Sequence, residues 1–322
     1  MDVYINNMHS INKKTTLQFP DEFFKEEVRC DYLVTEKLKK IWAIEIDLLN
    51  ELISVCKKHD IKVIVYAGTL LGAIRHKGMI PWDDDIDVAL TRPEYEKLCK
   101  VAPKEFKHPY FFQNNQTDNK IFCGYSRLRN SLTTGLITGM ETTEYNNGIY
   151  IDVFVIDGYI EDDYKLRKQM HDKKKSEVIV NAYTWQYYTK NPFKKAIKAV
   201  LFTLLRLTYC KKVPYDKHVE RYNSIVSRYT EDTDRLTLMT HDMDFIPKYW
   251  LSKKDLDDII YVDFENIKVP IPKDYDSVLR HTYGNYMEFP PIEKRGEWHE
   301  GLIKFDPDIP YVDYIQQKKY KK

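Results

Sequence analysis

Apolar residues recur at spacings of three and four over residues 35–58, with charged residues between them. This is the period of one face of an α-helix, so the stretch predicts a long amphipathic helix. The β-branched run at 61–66 predicts a short buried strand, residues 69–75 predict a helix of two turns, and 85–90 predict a second strand. Helix and strand therefore alternate through this half of the chain.

The same patterns extend beyond residue 90. Thr91 and Glu94 have the spacing of a capping box that opens a helix to about residue 101. Further strands are predicted at 110–113, 121–128 and 148–156, long charged and aromatic helices from 162 to about 229, a hairpin at 259–272 with Glu265-Asn266 in its middle, and a helix at 274–283 that Gly284 ends. These elements predict an α/β (α+β) fold with a mixed sheet flanked by helices, and a helical appendage.

Composition narrows the class of protein. The 322 residues are 43% hydrophobic and 31% charged, which are values of a globular chain. Lys and Arg number 50 against 49 Asp and Glu, so bulk charge does not favour nucleic acid and we expect no nucleic-acid partner. Five dispersed cysteines without CxxC spacing, and a polar N-terminus without an apolar signal region, are typical of reduced thiols in a cytoplasmic protein.

Two aspartates carry the main chemical signal. In a strand at 85–90, Asp85 and Asp87 would project to one side, because side chains alternate between faces. Two carboxylates on one rigid face suit Mg²⁺, which prefers oxygen ligands. Gly68-Thr69 stands where a strand passes into a helix, and free backbone N–H groups at a helix start bind phosphate.

These residues resemble the LicD family, a branch of the DNA polymerase beta-like nucleotidyltransferase superfamily. The two main shared motifs are GTLLGAIRHKG at 68–78 and IPWDDDID at 80–87. Two further shared segments are GIYIDVFVID at 148–157 and the C-terminal stretch 269–284, which is followed by Pro290-Pro291 and Lys294-Arg295. Val155 stands where many relatives have proline. The resemblance covers roughly residues 35–160 and 250–300. Together with the polar N-terminus and the charged, aromatic character of the chain after residue 162, it predicts four parts: a loosely ordered lead-in at 1–34, a nucleotidyltransferase-like core at 35–160, a helical and possibly membrane-associating insertion at 161–245, and a C-terminal segment at 246–322 that packs back on the core.

The resemblance implies an activity as well. A LicD-type enzyme would move a phosphoryl-alcohol from a CDP-linked donor to a sugar hydroxyl of a glycan or lipid-linked oligosaccharide, and release CMP. For this chain we expect the group to be phosphocholine and the donor to be CDP-choline. Mg²⁺, or Mn²⁺ in its place, would bind Asp85, Asp87 and a third carboxylate. The alternatives are transfer of ribitol- or glycerol-phosphate, a nucleotidyltransferase that releases pyrophosphate, and a non-catalytic nucleotide-binding subunit.

Asp152 is the candidate for the third carboxylate. Asp157 lies five residues further along the same predicted strand, and this odd offset would point it to the other face. Asp152 would complete the metal site or accept the proton of the attacking hydroxyl. Asp83 and Asp84 are interpreted as turn residues, with Asp83 bonded to the backbone or orienting a ligand.

Basic residues near the aspartates are candidates for binding the donor phosphates. Arg75, His76 and Lys77 form a basic step between the predicted helix and the aspartate pair, where positive charge also complements the helix dipole. Arg127 shares a strand face with Arg129 by parity, and both would otherwise be ordinary exposed charges. Trp82 would stack on a base or sugar, or pack in the core.

A cationic apolar segment spans residues 193–212. Lys198 and Arg206 interrupt its apolar run, which is therefore far too short to cross a bilayer. Such a helix suits the surface of an anionic membrane or a core position with snorkelling lysines. We expect peripheral association with the inner face of the cell membrane.

Overall fold

A computed structural model describes residues 11–119, 121–138, 144–184, 191–296 and 302–320. Its helices are α1 (Glu36–Lys58), α2 (Ala67–Arg75), α3 (Arg92–Glu105), α4 (Asp163–Thr184), α5 (Pro192–Thr208), α6 (Tyr215–Val226), α7 (Tyr275–Tyr283) and α8 (Tyr311–Tyr320). Its strands are β1 (Glu27–Arg29), β2 (Tyr32–Val34), β3 (Ile64–Val65), β4 (Asp87–Thr91), β5 (Tyr110–Gln113), β6 (Ser126–Asn130), β7 (Thr134–Ile137), β8 (Ile149–Gly158), β9 (Arg235–Thr237), β10 (Trp250–Ser252), β11 (Ile259–Phe264), β12 (Ile267–Pro272) and β13 (Ile303–Asp306).

Strand β8 is the centre of a seven-stranded mixed sheet. Five of its strands follow the order β10-β9-β8-β4-β3. The other two join through β8, because β6 pairs with β8 and β5 pairs with β6. Strand β8 pairs in parallel with β4 and antiparallel with β6 and β9. It is buried along almost all its length, which explains its nearly continuous apolar sequence. Helix α1 packs on this sheet through core residues such as Trp42 and Leu49, and the predicted α/β fold with a mixed sheet is confirmed.

Local signals predicted most elements. Thr35 caps α1 by accepting the backbone N–H of Leu38 at 3.2 Å, and strands β11 and β12 form the predicted hairpin. The capping box of α3 is absent, because Glu94 instead accepts the backbone N–H of Lys62 at 3.0 Å, a contact with another element. The strand predicted at 121–128 begins only at Ser126.

The N-terminal segment departs from expectation. Residues 11–34 are not a loose lead-in, because Ile11, Phe19 and Phe24 are buried in the main core. The backbone N–H groups of Thr16 and Leu17 each donate to Asp47 Oδ1 on α1 at 2.8 Å. These apolar residues are widely spaced among polar ones, so the sequence pattern did not predict that the segment packs on the core.

The C-terminal half also contributes to the core fold. Strand β13 pairs with β7. Strand β9, which lies in the segment expected to be a helical appendage, extends the central sheet. The division of the chain into four parts stays a prediction. Within the described ranges, no helix combines the length and apolar character needed to cross a membrane.

Candidate functional site

Three aspartates lie on one face of the paired strands β4 and β8. Asp85 precedes β4 and Asp87 begins it; both are half-buried, whereas Ile86 between them is buried. Asp152 on β8 is the register partner of Asp87, and parallel neighbours lie roughly 4.8 Å apart on one face. Burial, with the negative charges of Asp85 and Asp152, raises the pKa of Asp87 well above its usual range. The fold thus brings together the three carboxylates singled out in the sequence, and their catalytic role stays a prediction.

Asp157 has a different environment. Its carboxylate is fully buried and accepts hydrogen bonds from Arg92 through both oxygens, at 2.6 and 2.5 Å. This ion pair joins β8 to the start of α3. The odd offset from Asp152 therefore separates a structural aspartate from one that faces the site.

A turn of three consecutive aspartates adjoins these carboxylates. Asp83, Asp84 and Asp85 each offer an oxygen, and the three oxygens lie within 4.8 Å of one another. Asp83 Oδ1 accepts the backbone N–H of Asp84 at 3.3 Å, which is the turn role expected from the sequence. Its backbone carbonyl accepts the indole N–H of Trp42 at 2.9 Å, so α1 lies directly against this turn.

The Gly-Thr step holds the turn and β4 in position. Thr69 Oγ1 accepts the backbone N–H of Asp87 at 2.8 Å. A Cβ added to Gly68 would lie 3.1 Å from Asp83 Oδ2, so glycine permits the close approach of this carboxylate. The N–H of Thr69 already donates to the carbonyl of Tyr66 at 3.0 Å. Thr69 therefore positions Asp87, and phosphate binding by Gly68 and Thr69 stays a prediction.

The three predicted phosphate-binding cations lie in different places. Arg75 lines the cavity described below; its Nη1 donates to the carbonyls of Tyr286 and Glu288 at 2.9 and 3.1 Å. Lys77 is exposed, adopts a φ of 54°, and is not among the residues that line the cavity.

Arg127 is tied to the third carboxylate. Its Nε donates to Asp152 Oδ1 at 2.8 Å, and its guanidinium lies 4.2 Å from the centre of the Tyr150 ring. Arg129 is fully buried and donates to Gln113 Oε1 and to the carbonyl of Gly148, which are structural contacts. Arg127 thus orients Asp152, and its contact with a donor phosphate stays a prediction.

A cavity of about 620 Å³ opens beside the carboxylates, with Gly68, Asp83, Asp85 and Asp87 in its lining. One wall is a chain of neighbouring rings, with centres 5.6 to 5.9 Å apart, which we call the aromatic wall: Phe154, His241, Phe245, Tyr249 and Tyr283. At the other end, Phe289 and Trp82 lie under the guanidinium of Arg75 at 5.3 and 6.0 Å. Trp82 is 4% exposed, so it both packs in the core and lines the cavity.

Glu45, in the middle of α1, is a residue beside the site that the sequence patterns did not single out. Its side chain is fully buried, and neither carboxylate oxygen has a hydrogen-bond partner within the described part of the chain. Burial raises the pKa of Glu45 well above its usual range, and the charge of Asp85 acts in the same direction. A glutamate in the buried stripe of an amphipathic helix was the available signal, because Lys, Glu, Arg and Asp are almost never fully buried without a partner.

Comparisons with known proteins agree with this geometry. The family model described as "LicD/FKTN/FKRP, nucleotidyltransferase domain" matches residues 60–196, which include Asp85, Asp87 and Asp152. The lipopolysaccharide cholinephosphotransferase LicD of Haemophilus influenzae is 26% identical over 265 residues, which are 81% of this chain and 96% of that protein. Uncharacterized proteins of Rickettsia typhi and Rickettsia prowazekii are 31% and 37% identical over 24% and 18% of this chain, covering 24% and 21% of their own lengths. The chain is therefore similar to LicD-type proteins, and residues 60–196 match the nucleotidyltransferase domain of that family.

Proposed function

We propose that this protein is a phosphotransferase that moves phosphocholine from CDP-choline to a sugar hydroxyl of a cell-surface glycan precursor and releases CMP. The observation that carries the proposal is the grouping of Asp85, Asp87 and Asp152 beside the aromatic cavity. Similarity to a lipopolysaccharide cholinephosphotransferase over 96% of that protein's length supports the same activity.

The carboxylates fit a divalent metal such as Mg²⁺ or Mn²⁺. Asp85, Asp87 and Asp152 supply the oxygen ligands that these ions prefer, and their like charges raise the pKa of Asp87. When bound, the metal would neutralise charge on the donor diphosphate as the phosphoryl group is transferred. Thr69 and Arg127 hold Asp87 and Asp152 in place through the hydrogen bonds described above. Asp152 either completes this ligand set or accepts the proton of the sugar hydroxyl.

The aromatic wall favours choline over ribitol or glycerol as the head group. Aromatic faces attract quaternary ammonium groups, whereas a polyol requires several hydrogen-bonding partners. Tyr249 and Tyr283 line the same cavity as Asp87, so the aromatic wall lies beside the carboxylates. A cationic head group there would be attracted by the faces of these rings.

The proposal is tested by incubating the protein with Mg²⁺, a sugar acceptor and a panel of CDP-choline, CDP-ribitol, CDP-glycerol and nucleoside triphosphates. We expect CMP release with CDP-choline and a large loss of release in Asp87→Asn. Faster CMP release from CDP-ribitol or CDP-glycerol would show that the transferred head group is a polyol instead of choline. Pyrophosphate release from a triphosphate would instead identify a nucleotidyltransferase, and the absence of turnover with every donor would indicate a non-catalytic nucleotide-binding subunit.

We also propose that helix α5 associates with the cytoplasmic face of an anionic membrane. Its apolar residues at helical spacing form one exposed stripe: Phe193, Ile197, Val200, Leu204 and Leu207. Phe202 lies on the opposite side of the helix and is buried, so the stripe faces away from the protein. Lys194 and Lys198 are exposed and add positive charge, as in helices that lie in a membrane interface.

Sedimentation with anionic liposomes tests this association. We expect Lys194→Glu/Lys198→Glu to weaken binding, while CMP release with a soluble acceptor is unchanged. The matched control is Lys100→Glu/Lys104→Glu, two exposed lysines with the same spacing on α3. High salt should weaken binding of the parent protein, because it screens surface attraction. Equal sedimentation of both double variants and the parent would refute the membrane proposal.

A further inference from the structure

Glu45 faces the aspartate turn from the side of α1. It lies three residues after Trp42, so the two side chains share one face of the helix. The indole N–H of Trp42 donates to the backbone carbonyl of Asp83 at 2.9 Å, which holds that face against the turn. Burial is the main cause of the raised pKa of Glu45, and the negative charges of Asp85, Asp84, Asp83 and Asp87 raise it further. Glu45 therefore points into a cluster of like charges.

Among the residues that the structure describes, Glu45 has no positively charged partner. Both of its oxygens are buried and accept no hydrogen bond from any described residue. Asp84 beside it is 1% exposed, so water does not screen this side of the cluster. Buried carboxylates are normally paired with a cation or coordinate a metal. The oxygens of Asp83, Asp84 and Asp85 are already close enough to share one ion.

We propose that Glu45 is a further carboxylate ligand of a divalent cation held by Asp83, Asp84 and Asp85, and that it approaches this cation from the α1 side. The cavity described above is lined by Asp83, Asp85 and Asp87 but not by Glu45, which is fully buried. Glu45 would thus anchor the cation without contacting the donor. The inference rests on the proposed metal dependence, and it assigns a ligand from a helix that precedes the matched family domain.

Isothermal titration calorimetry with Mn²⁺ in the absence of any donor tests this role directly. The variant Glu45→Gln keeps the size of the side chain and removes its charge. We expect its Kd for Mn²⁺ to rise at least about tenfold, since changes around a metal site typically cost 10- to 100-fold in affinity. The rise in melting temperature that Mn²⁺ produces should shrink in parallel, because stabilisation by a ligand follows its affinity.

Glu51→Gln is the matched control. Glu51 is on the same helix, is half-buried, and bonds to Thr16 instead of facing the aspartates. Its Kd for Mn²⁺ should equal that of the parent. Weaker binding in Glu45→Gln alone supports the inference, whereas parental affinity in Glu45→Gln overturns it and leaves the proposed function standing. Failure of the parent protein to bind Mn²⁺ or Mg²⁺ would overturn both.

A second pair of variants decides the question if Glu45→Gln does not fold. Glu45→Asp keeps the charge but withdraws the carboxylate by one methylene, and Glu51→Asp makes the same change at the control position. We expect weaker Mn²⁺ binding in Glu45→Asp and unchanged binding in Glu51→Asp. Equal affinity in the two variants would overturn the inference.

Discussion

Replacing each of the two aspartates of β8 by asparagine should separate a catalytic from a structural role. Asp157→Asn removes the charge from a fully buried carboxylate that both bonds and neutralises Arg92, whose side chain is 13% exposed. Asp152→Asn removes a charge that is bonded by Arg127 but repelled by Asp87. We therefore expect Asp157→Asn to lower stability and Asp152→Asn to lower turnover.

The structure indicates the size of each effect. Removing one partner of a buried ion pair typically costs about 3–5 kcal/mol, and asparagine retains one acceptor for Arg92, so Asp157→Asn should lie near 3 kcal/mol. In a chain of this length, that corresponds to a fall of roughly 5 °C in melting temperature. In Asp152→Asn, relief of repulsion from Asp87 offsets part of the loss of the Arg127 bond, so its melting temperature should fall less. Its turnover should drop on the order of a hundredfold or more if it acts as metal ligand or base.

Differential scanning fluorimetry without metal, together with CMP release measured well below the melting transition, checks both expectations. Circular dichroism establishes that each variant is folded at the assay temperature. The reasoning is refuted if Asp152→Asn keeps turnover within a few-fold of the parent. It is equally refuted if Asp157→Asn melts at the parental temperature, because the buried pair would then contribute no net stability.

Three further outcomes are expected. Asp85→Asn and Asp87→Asn should each slow CMP release about a thousandfold with an unchanged circular dichroism spectrum, because an amide is a poor ligand for Mg²⁺; near-parental rates would exclude them as ligands. Tyr249→Leu should raise the KM for CDP-choline more than the KM for CDP-ribitol in steady-state kinetics, because it removes a face of the aromatic wall. Burial and the charge of Arg75 lower the pKa of His76 from 6.5 to about 4. Between these pH values the histidine is protonated in the unfolded chain but not in the folded one, which favours unfolding as the pH falls. In urea unfolding at pH 6.5 and pH 4, the stability of the parent relative to His76→Gln should fall as pH falls, because only the parent carries this histidine contribution.

Short-range patterns in the sequence determined much of the local structure. The apolar period of residues 36–58 specified α1, because a helix buries one stripe of its surface. The predicted strand at 85–90 begins only at Asp87, yet Asp85 and Asp87 are both half-buried on either side of buried Ile86, as alternation predicted. The offset of five separated Asp152 from Asp157. These features depend only on the geometry of a single element, so neighbouring residues are sufficient to predict them.

Only the tertiary structure decided what those side chains meet. Arg127 reached Asp152 because β6 pairs with β8, and Glu94 left its expected capping role for the backbone of Lys62. The aromatic wall combines a residue of β8 with residues from 241 to 283, and Glu45 faces aspartates that lie about forty positions away in the chain. Burial and charge act through space, and the distances that govern them are set by how strands pair and helices pack. The sequence alone therefore determined the strongly patterned elements and the pair of aspartates, whereas packing decided the short strands and the partners of these side chains.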